Sequence, residues 1–306
     1  MNEPSNGKRR AFLKTCSLAA TAAIPYFVNG RVDGKEEAPA KEVAIFAKHL
    51  QHLNFDQLAD FCSEIQVDGI EATIRKGGQV EPRRAVDELP RLADALQKKH
   101  KAVVIMTTDI NHVGSENAEM VLQTGSRLGI HHYRMAYFKY DLEQKILPQL
   151  EMFAKQSREL AELNKSLGVI GLYQNHAGAN YVGAPLWDLG VMLREIDPTH
   201  LAVAYDVRHA TVEGLQSWEI DLNILRHNIG ATFVKDCRIH DRKVEDVPLG
   251  TGDVSQKLFA RLKQNPLPGP ISLHMEYTDP RDPASLPAAL DAYRRDRETL
   301  RELLGV

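Results

Sequence analysis

Leu201–Ala210 reads LAVAYDVRHA, an apolar run that turns polar at Asp206 and again at His209. Such an uninterrupted apolar run marks a strand buried on both faces, the kind that parallel sheets covered by helices contain. A carboxylate and an imidazole three residues apart at the end of a buried strand point to chemistry. The duller alternative is an Asp that caps the next turn and a His packed under a loop.

Outward from this stretch the same alternation of elements continues in both directions. Further strands are expected at Val43–Phe46, Gly69–Ile74, Ala102–Thr107, His132–Phe138, Val169–Tyr173, Gly230–Val234 and Pro270–Tyr277. Helical periodicity falls on Phe55–Ile65, Ala85–His100, Glu116–Leu128, Leu142–Leu167, Leu186–Ile196, Trp218–His227, Val254–Gln264 and Ser285–Leu304. Gly129 and Gly168 follow two of these as stop signals. Pro90 sits awkwardly inside another and predicts a kink or an early start. Eight strand–helix pairs over residues 41–306 fit a single α/β domain, a (β/α)8 or TIM barrel. A doubly wound sheet also alternates, but no Gly-x-Gly-x-x-Gly follows the first strand.

Composition narrows the partners. The 306 residues carry a formal net charge of -3 with 43% hydrophobic residues, and no basic face for nucleic acid is implied. Cys16, Cys62 and Cys237 have neither metal-ligand spacing nor the number for a disulfide framework, and read as free thiols. Residues 1–40 read as a signal and linker. Arg9-Arg10 with Phe12-Leu13-Lys14, then the apolar Cys16–Ala23, resembles a twin-arginine export signal and predicts a periplasmic protein. That apolar segment is too short for a lasting membrane anchor. Whether the barrel assembles as a homo-oligomer is left open.

In a barrel of this kind the C-terminal strand ends surround one mouth. Here they carry Lys48, His49, Glu71, Asp109, His112, Arg134, Gln174, His176, Asp206, His209, Lys235, Asp236, His274 and Glu276. Acids, imidazoles and cations on one ring suit a hydroxylated, anionic or carbonyl-bearing small molecule, with Lys48, Glu71, Arg134, His176 and His274 as substrate-binding candidates. Two bland pairings compete: Arg134 with Glu71, and Lys235 with Glu276. Trp187, Trp218, Tyr173 and Tyr277 are aromatics suited to stacking on a sugar ring.

These motifs in this order resemble the sugar phosphate isomerase/epimerase superfamily, the xylose isomerase-like barrels. The resemblance rests on Asp206-x-x-His209, Val234-Lys235-Asp236, the run Pro248–Val254 (PLGTGDV) and His274-x-Glu276-Tyr277. It implies one divalent metal (Mn, Co, Mg or Zn) held by Glu, Asp, His and Glu on strands five to eight. The metal polarises the substrate oxygens while the strand-five and strand-eight carboxylates move a proton between adjacent carbons. Carried over, Asp206, His209 and Glu276 match, whereas Gln174 stands for the first Glu and Phe233 for the His.

The implied metal ligands are therefore Gln174, Asp206 and Glu276, with His176, His209 and His274 as nearby substitutes. Lys235 is an alternative occupant of the cation position. The implied catalytic residues are Glu276, His209 and Lys235, acting next to a carbonyl of a sugar or keto-sugar. Two other readings stay open: a lyase or hydrolase cleaving oxidised (3-keto) glycosides by elimination, and a sugar-binding barrel without turnover.

Overall fold

The computed structural model describes residues 41–306 apart from Arg242 and Pro283, so the expected signal and linker lie outside the described residues. Eight parallel strands close a barrel. In chain order they begin with β1 (Val43–Phe46), β2 (Gly69–Ile74), β3 (Ala102–Thr108) and β4 (His132–Arg134). They continue with β5 (Ile170–Gln174), β6 (Leu201–Asp206), β7 (Ile229–Val234) and β10 (Ile271–Leu273). Each strand pairs with the next, and β10 closes the ring between β7 and β1. The (β/α)8 barrel expected from the alternation is the observed fold.

The helices cover the outside: α1 (Phe55–Glu64), α2 (Ala85–Gln97), α3 (Ala118–Arg127), α4 (Ile146–Leu167), α5 (Trp187–Met192), α7 (Trp218–Leu225), α8 (Gln256–Gln264) and α9 (Leu286–Leu304). Local chemistry sets their ends. Asn54 and Gln57 exchange side-chain and backbone hydrogen bonds in a capping box that starts α1. Gly168, at φ 66°, takes the left-handed conformation that closes α4. α2 runs through Pro90; the Val86 carbonyl that loses its amide there belongs to an exposed residue, which water can serve.

Side-chain alternation sorts the core into two layers. The larger lies between strands and helices and includes Leu58, Tyr133, Leu160, Tyr205 and Tyr293. The smaller fills the barrel with Ala44, Val104, Ile105, Leu172, Ala202, Ala204, Ala231 and Phe233. Four alanines leave the interior narrow, and the Phe233 ring plugs it. Above this apolar floor the inward positions turn polar.

Four expectations need correction. The sixth strand ends at Asp206, and His209 lies on a short helix, α6 (Val207–Gly214), rather than on the strand. The fourth and eighth strands are three residues each, because Met135–Phe138 and His274–Tyr277 leave the ladder to reach the mouth. Asp236 belongs to an antiparallel hairpin, β8 (Asp236–His240) with β9 (Lys243–Val247), which the apolar periodicity did not signal. Finally, Asp236 is not a mouth ligand. Its carboxylate accepts from the amides of Cys237, Gly250, Gly252 and Val254 at 2.8–3.1 Å. A Cβ at Gly252 would come 2.3 Å from that carboxylate, so only glycine fits there. The PLGTGDV run is thus the loop that fixes the end of β7.

Candidate functional site

Polar side chains above the plug form two tiers. In the lower tier Glu71, from β2, is fully buried and accepts four side-chain contacts. These come from Thr107 Oγ1 and Ser272 Oγ, both at 2.6 Å, His274 Nε2 at 2.9 Å and Arg134 Nη1 at 3.2 Å. Burial alone would raise the Glu71 carboxyl, but Arg134 and His274 outweigh it and hold it near about 2. The Arg134 guanidinium lies over the Phe46 ring, 4.5 Å from its centroid. Three predicted substrate-binding residues, Glu71, Arg134 and His274, are therefore brought together and paired with one another.

The upper tier is built from the ends of β5, β6 and β7. Asn175 ties the first two together, its side chain bonding both the amide and the carbonyl of Asp206. Asp206 is fully buried and caps α6 through the amides of Arg208 and His209. Its other oxygen, Oδ2, accepts from Gln174 Nε2 at 2.6 Å and lies 3.5 Å from Lys235 Nζ. The Lys235 ammonium reaches Glu276 Oε2 at 2.8 Å. Lys48, at the open rim, stands 4.0 Å from the other Glu276 oxygen.

Charge balance explains the protonation states. Burial opposes the Asp206 charge, yet the Lys235 ammonium and the His209 backbone amide beside it keep its carboxyl well below the usual range. Glu276 behaves alike: burial raises it, and Lys235 brings it far down. Burial would discharge Lys235, but Asp206 and Glu276 raise it above an ordinary lysine. The site at neutral pH thus holds two carboxylates and one buried ammonium.

Two imidazoles complete the mouth. His176 and His209 lie with ring centroids 3.9 Å apart. Burial pushes His209 down to about 2 and lowers His176 as well, so both rings are neutral. His209 Nε2 is buried without a hydrogen-bond partner among the described residues.

Sequence reasoning missed Tyr137 and Tyr181. The Tyr137 hydroxyl donates to Gln174 Oε1 at 2.5 Å, and burial pushes that phenol up to about 12. Tyr181 packs at 4.7 Å from His176 and 5.1 Å from Tyr137. The signal for Tyr137 was its place in a strand-like run, which gave no hint that the run leaves the sheet. Of the aromatics expected to stack, Tyr173 is buried in the core, Trp187 is exposed on α5 and Trp218 packs against the outer layer. Asp109 and His112 serve loop turns, bonding the Lys76 amide and Ser115.

Fold and mouth together define a barrel with a cluster of paired, buried charges at the C-terminal ends of its strands. The sequence matches the family model described as Xylose isomerase-like TIM barrel over residues 59–303, and the chain belongs to that family. Its fold is similar to D-psicose 3-epimerase from Clostridium cellulolyticum H10 (TM-score 0.66, 13% identity, covering 87% of this chain and 99% of the other). It is similar to 3-keto-D-glucoside 4-epimerase from E. coli (TM-score 0.63, 15% identity, 87% and 100% covered). A third structure, described as IOLI protein with a binding zinc atom, gives TM-score 0.66 at 16% identity, with 87% and 98% covered. At these identities the likeness establishes the fold alone. No significant match was found among curated proteins.

The zinc atom in the third of these similar folds raises the question of a metal here, and the donor set does not fit one. Of the four expected ligand positions, Phe233 has no donor atom. The Gln174 carbonyl oxygen is taken by Tyr137, and its amide nitrogen bonds Asp206. The remaining carboxylates, Asp206 and Glu276, close on the Lys235 ammonium. Among the described residues no three His, Cys, Asp or Glu side chains are grouped to hold a metal ion. The substitutes His176, His209 and His274 are spread over both tiers, with His274 committed to Glu71.

Proposed function

We propose that the chain is an isomerase-type enzyme that moves a proton next to a carbonyl of a sugar or keto-sugar. The observation that carries this reading is the buried Lys235 ammonium, flanked by Asp206 and Glu276 and set beside two neutral imidazoles. A fixed cation stabilises negative charge growing on a carbonyl oxygen as the neighbouring carbon loses its proton. In this reading Lys235 supplies the positive charge and no step needs a resident metal. Glu276 and Lys48 bind substrate hydroxyls at the rim, and Glu71, Arg134 and His274 form the floor beneath. That similar folds are described as epimerases of a sugar and a keto-glucoside supports the substrate class.

A second reading, elimination from oxidised (3-keto) glycosides, is favoured by one feature. With Gln174 in place of a carboxylate, one of the two proton carriers of a two-base epimerase is missing, and elimination needs a single base. One experiment separates the two readings: keto-sugars and 3-keto-glycosides incubated with the enzyme in D2O and followed by NMR. Deuterium uptake without bond cleavage supports the isomerase. Aglycone release supports the lyase. Neither, with ligand-induced stabilisation, leaves a sugar-binding barrel and overturns both.

Export through the twin-arginine route to the periplasm is also proposed, on Arg9-Arg10 and the residues after them. Fractionation of cells making the R9K/R10K variant tests it; a variant still found in the periplasm would overturn it.

A further inference from the structure

The partners of the two adjoining imidazoles decide which nitrogen of each carries its proton. A backbone carbonyl only accepts, so the Ala177 oxygen 2.8 Å from His176 Nδ1 places the proton on Nδ1. Nε2 of that neutral ring then keeps a lone pair. At His209 the logic is reversed. A guanidinium only donates, and Arg208 Nη1 lies 3.1 Å from His209 Nδ1, so Nδ1 is the acceptor and Nε2 carries the proton. The neighbour of Nε2 agrees: Asp206 Oδ2 stands 3.7 Å away, where an N–H is attracted and a lone pair would be repelled.

Arg208 is itself held. Its Nε and Nη2 both donate to Asp246 Oδ1, at 3.1 and 3.0 Å. Asp246 lies on β9, so the hairpin that interrupts the barrel pattern after β7 anchors the guanidinium against His209. The Nε2–H of His209 is then a buried donor without a hydrogen-bond partner among the described residues, Asp206 Oδ2 at 3.7 Å lying beyond hydrogen-bond distance.

We propose that His176 is the proton acceptor of the reaction and His209 the neutral donor to the substrate oxygen, with Arg208 and Asp246 as positioning residues. This rests on the proton-transfer reading above. His176 Nε2 takes the proton from the carbon next to the carbonyl, and the C–H electron pair forms a C=C bond. The carbonyl π pair moves onto oxygen, which accepts from His209 Nε2–H and from the Lys235 ammonium. For isomerisation, His176 returns the proton to the neighbouring carbon, and the hydroxyl proton of the first passes to the former carbonyl oxygen. No atom or electron is gained. A neutral imidazole suits this donor role because it gives up no proton of its own.

The test is the tautomeric state, read at neutral pH from imidazole 15N–1H correlations of the labelled full-length chain. Signals are assigned with H176Q and H209Q. Protonated Nε2 on His209 and protonated Nδ1 on His176 are expected. In R208M the His209 signal should move toward the other tautomer, while R208K, which keeps a donor, should restore it in part. Deuterium exchange into a keto-sugar should fall about 100-fold or more in H176Q, a typical loss for a general base. In R208M it should fall through kcat with KM unchanged. Nδ1 protonation on His209, or full exchange in H176Q, would overturn the proposal. The expected tautomers with no exchange in any keto-sugar would instead sink the proton-transfer reading, and the catalytic roles with it.

Discussion

The Lys235 ammonium lies 2.8 Å from the Glu276 carboxylate and 3.5 Å from that of Asp206, a single cation shared by two acids in the mouth of the barrel. Removing one partner of such a buried cluster leaves charge with nothing to balance it. K235M should therefore unfold about 3 kcal/mol more easily than the wild type at pH 7. The loss should shrink as pH is lowered, because the two carboxyls, no longer held down by Lys235, can take up protons. Urea unfolding at pH 7 and pH 5 measures both. A deficit independent of pH would show that packing, not charge, is lost.

Metal binding should follow from the same geometry. Manganese, cobalt or zinc should not raise the melting temperature of the wild type, since Lys235 and Tyr137 occupy the oxygens a cation would need. Q174E/F233H/K235M puts a carboxylate and an imidazole back and removes the ammonium. It should gain divalent-metal binding, read as bound metal after dialysis. Near-stoichiometric metal on the wild type would contradict the account of the site.

Glu71 and Arg134 test the lower tier. Each is buried, and the other is its counter-charge, so E71Q and R134M should each cost about 3–5 kcal/mol. The double variant should lose clearly less than their sum, because neither charge is then left alone. The stability Glu71 contributes is present above pH 4.5, its ordinary value, and is lost as pH falls toward about 2. Additive losses in a double-mutant cycle would mean the two residues act separately.

Asp296, on α9, carries the opposite sign. Burial pushes its carboxyl up to about 6 from 3.8, outweighing the neighbouring Tyr277 hydroxyl and the Leu249 amide, which bonds Oδ1 at 3.2 Å. The folded state then holds a proton that the unfolded chain gives up at lower pH. Stability is fully present below 3.8 and falls as pH rises through 6. D296N keeps the acceptor without the charge, so it should be more stable than wild type by about 3 kcal/mol at pH 8. At pH 3.5 the two should be alike. Equal melting temperatures at pH 8 would count against a buried charge at this position.

Much of this was readable along the chain because it depends on local pattern. The apolar run ending at Asp206 announced a doubly covered strand, and seven companions with helices between them left room for one barrel. Strand alternation alone placed Phe233 and Lys235 on one inner face. The pairs Glu71–Arg134 and Lys235–Glu276 were already among the possibilities, since opposite charges on neighbouring inward positions attract wherever the ring closes.

What the sequence by itself determined, then, was the barrel, the polar ends of its strands and part of the ring. Periodicity and residue type are properties of short segments and need no partner. Only the tertiary structure decided what each ring member does. Tyr137 became a partner of Gln174 because the chain after β4 leaves the sheet. Asp236 became a loop anchor because four amides converge on it from residues 237–254. The proton on His209 sits on Nε2 because Arg208, held by Asp246, meets its other nitrogen. A hydrogen bond depends on donor and acceptor meeting within about 3 Å, and that meeting is set by chain closure over tens of residues.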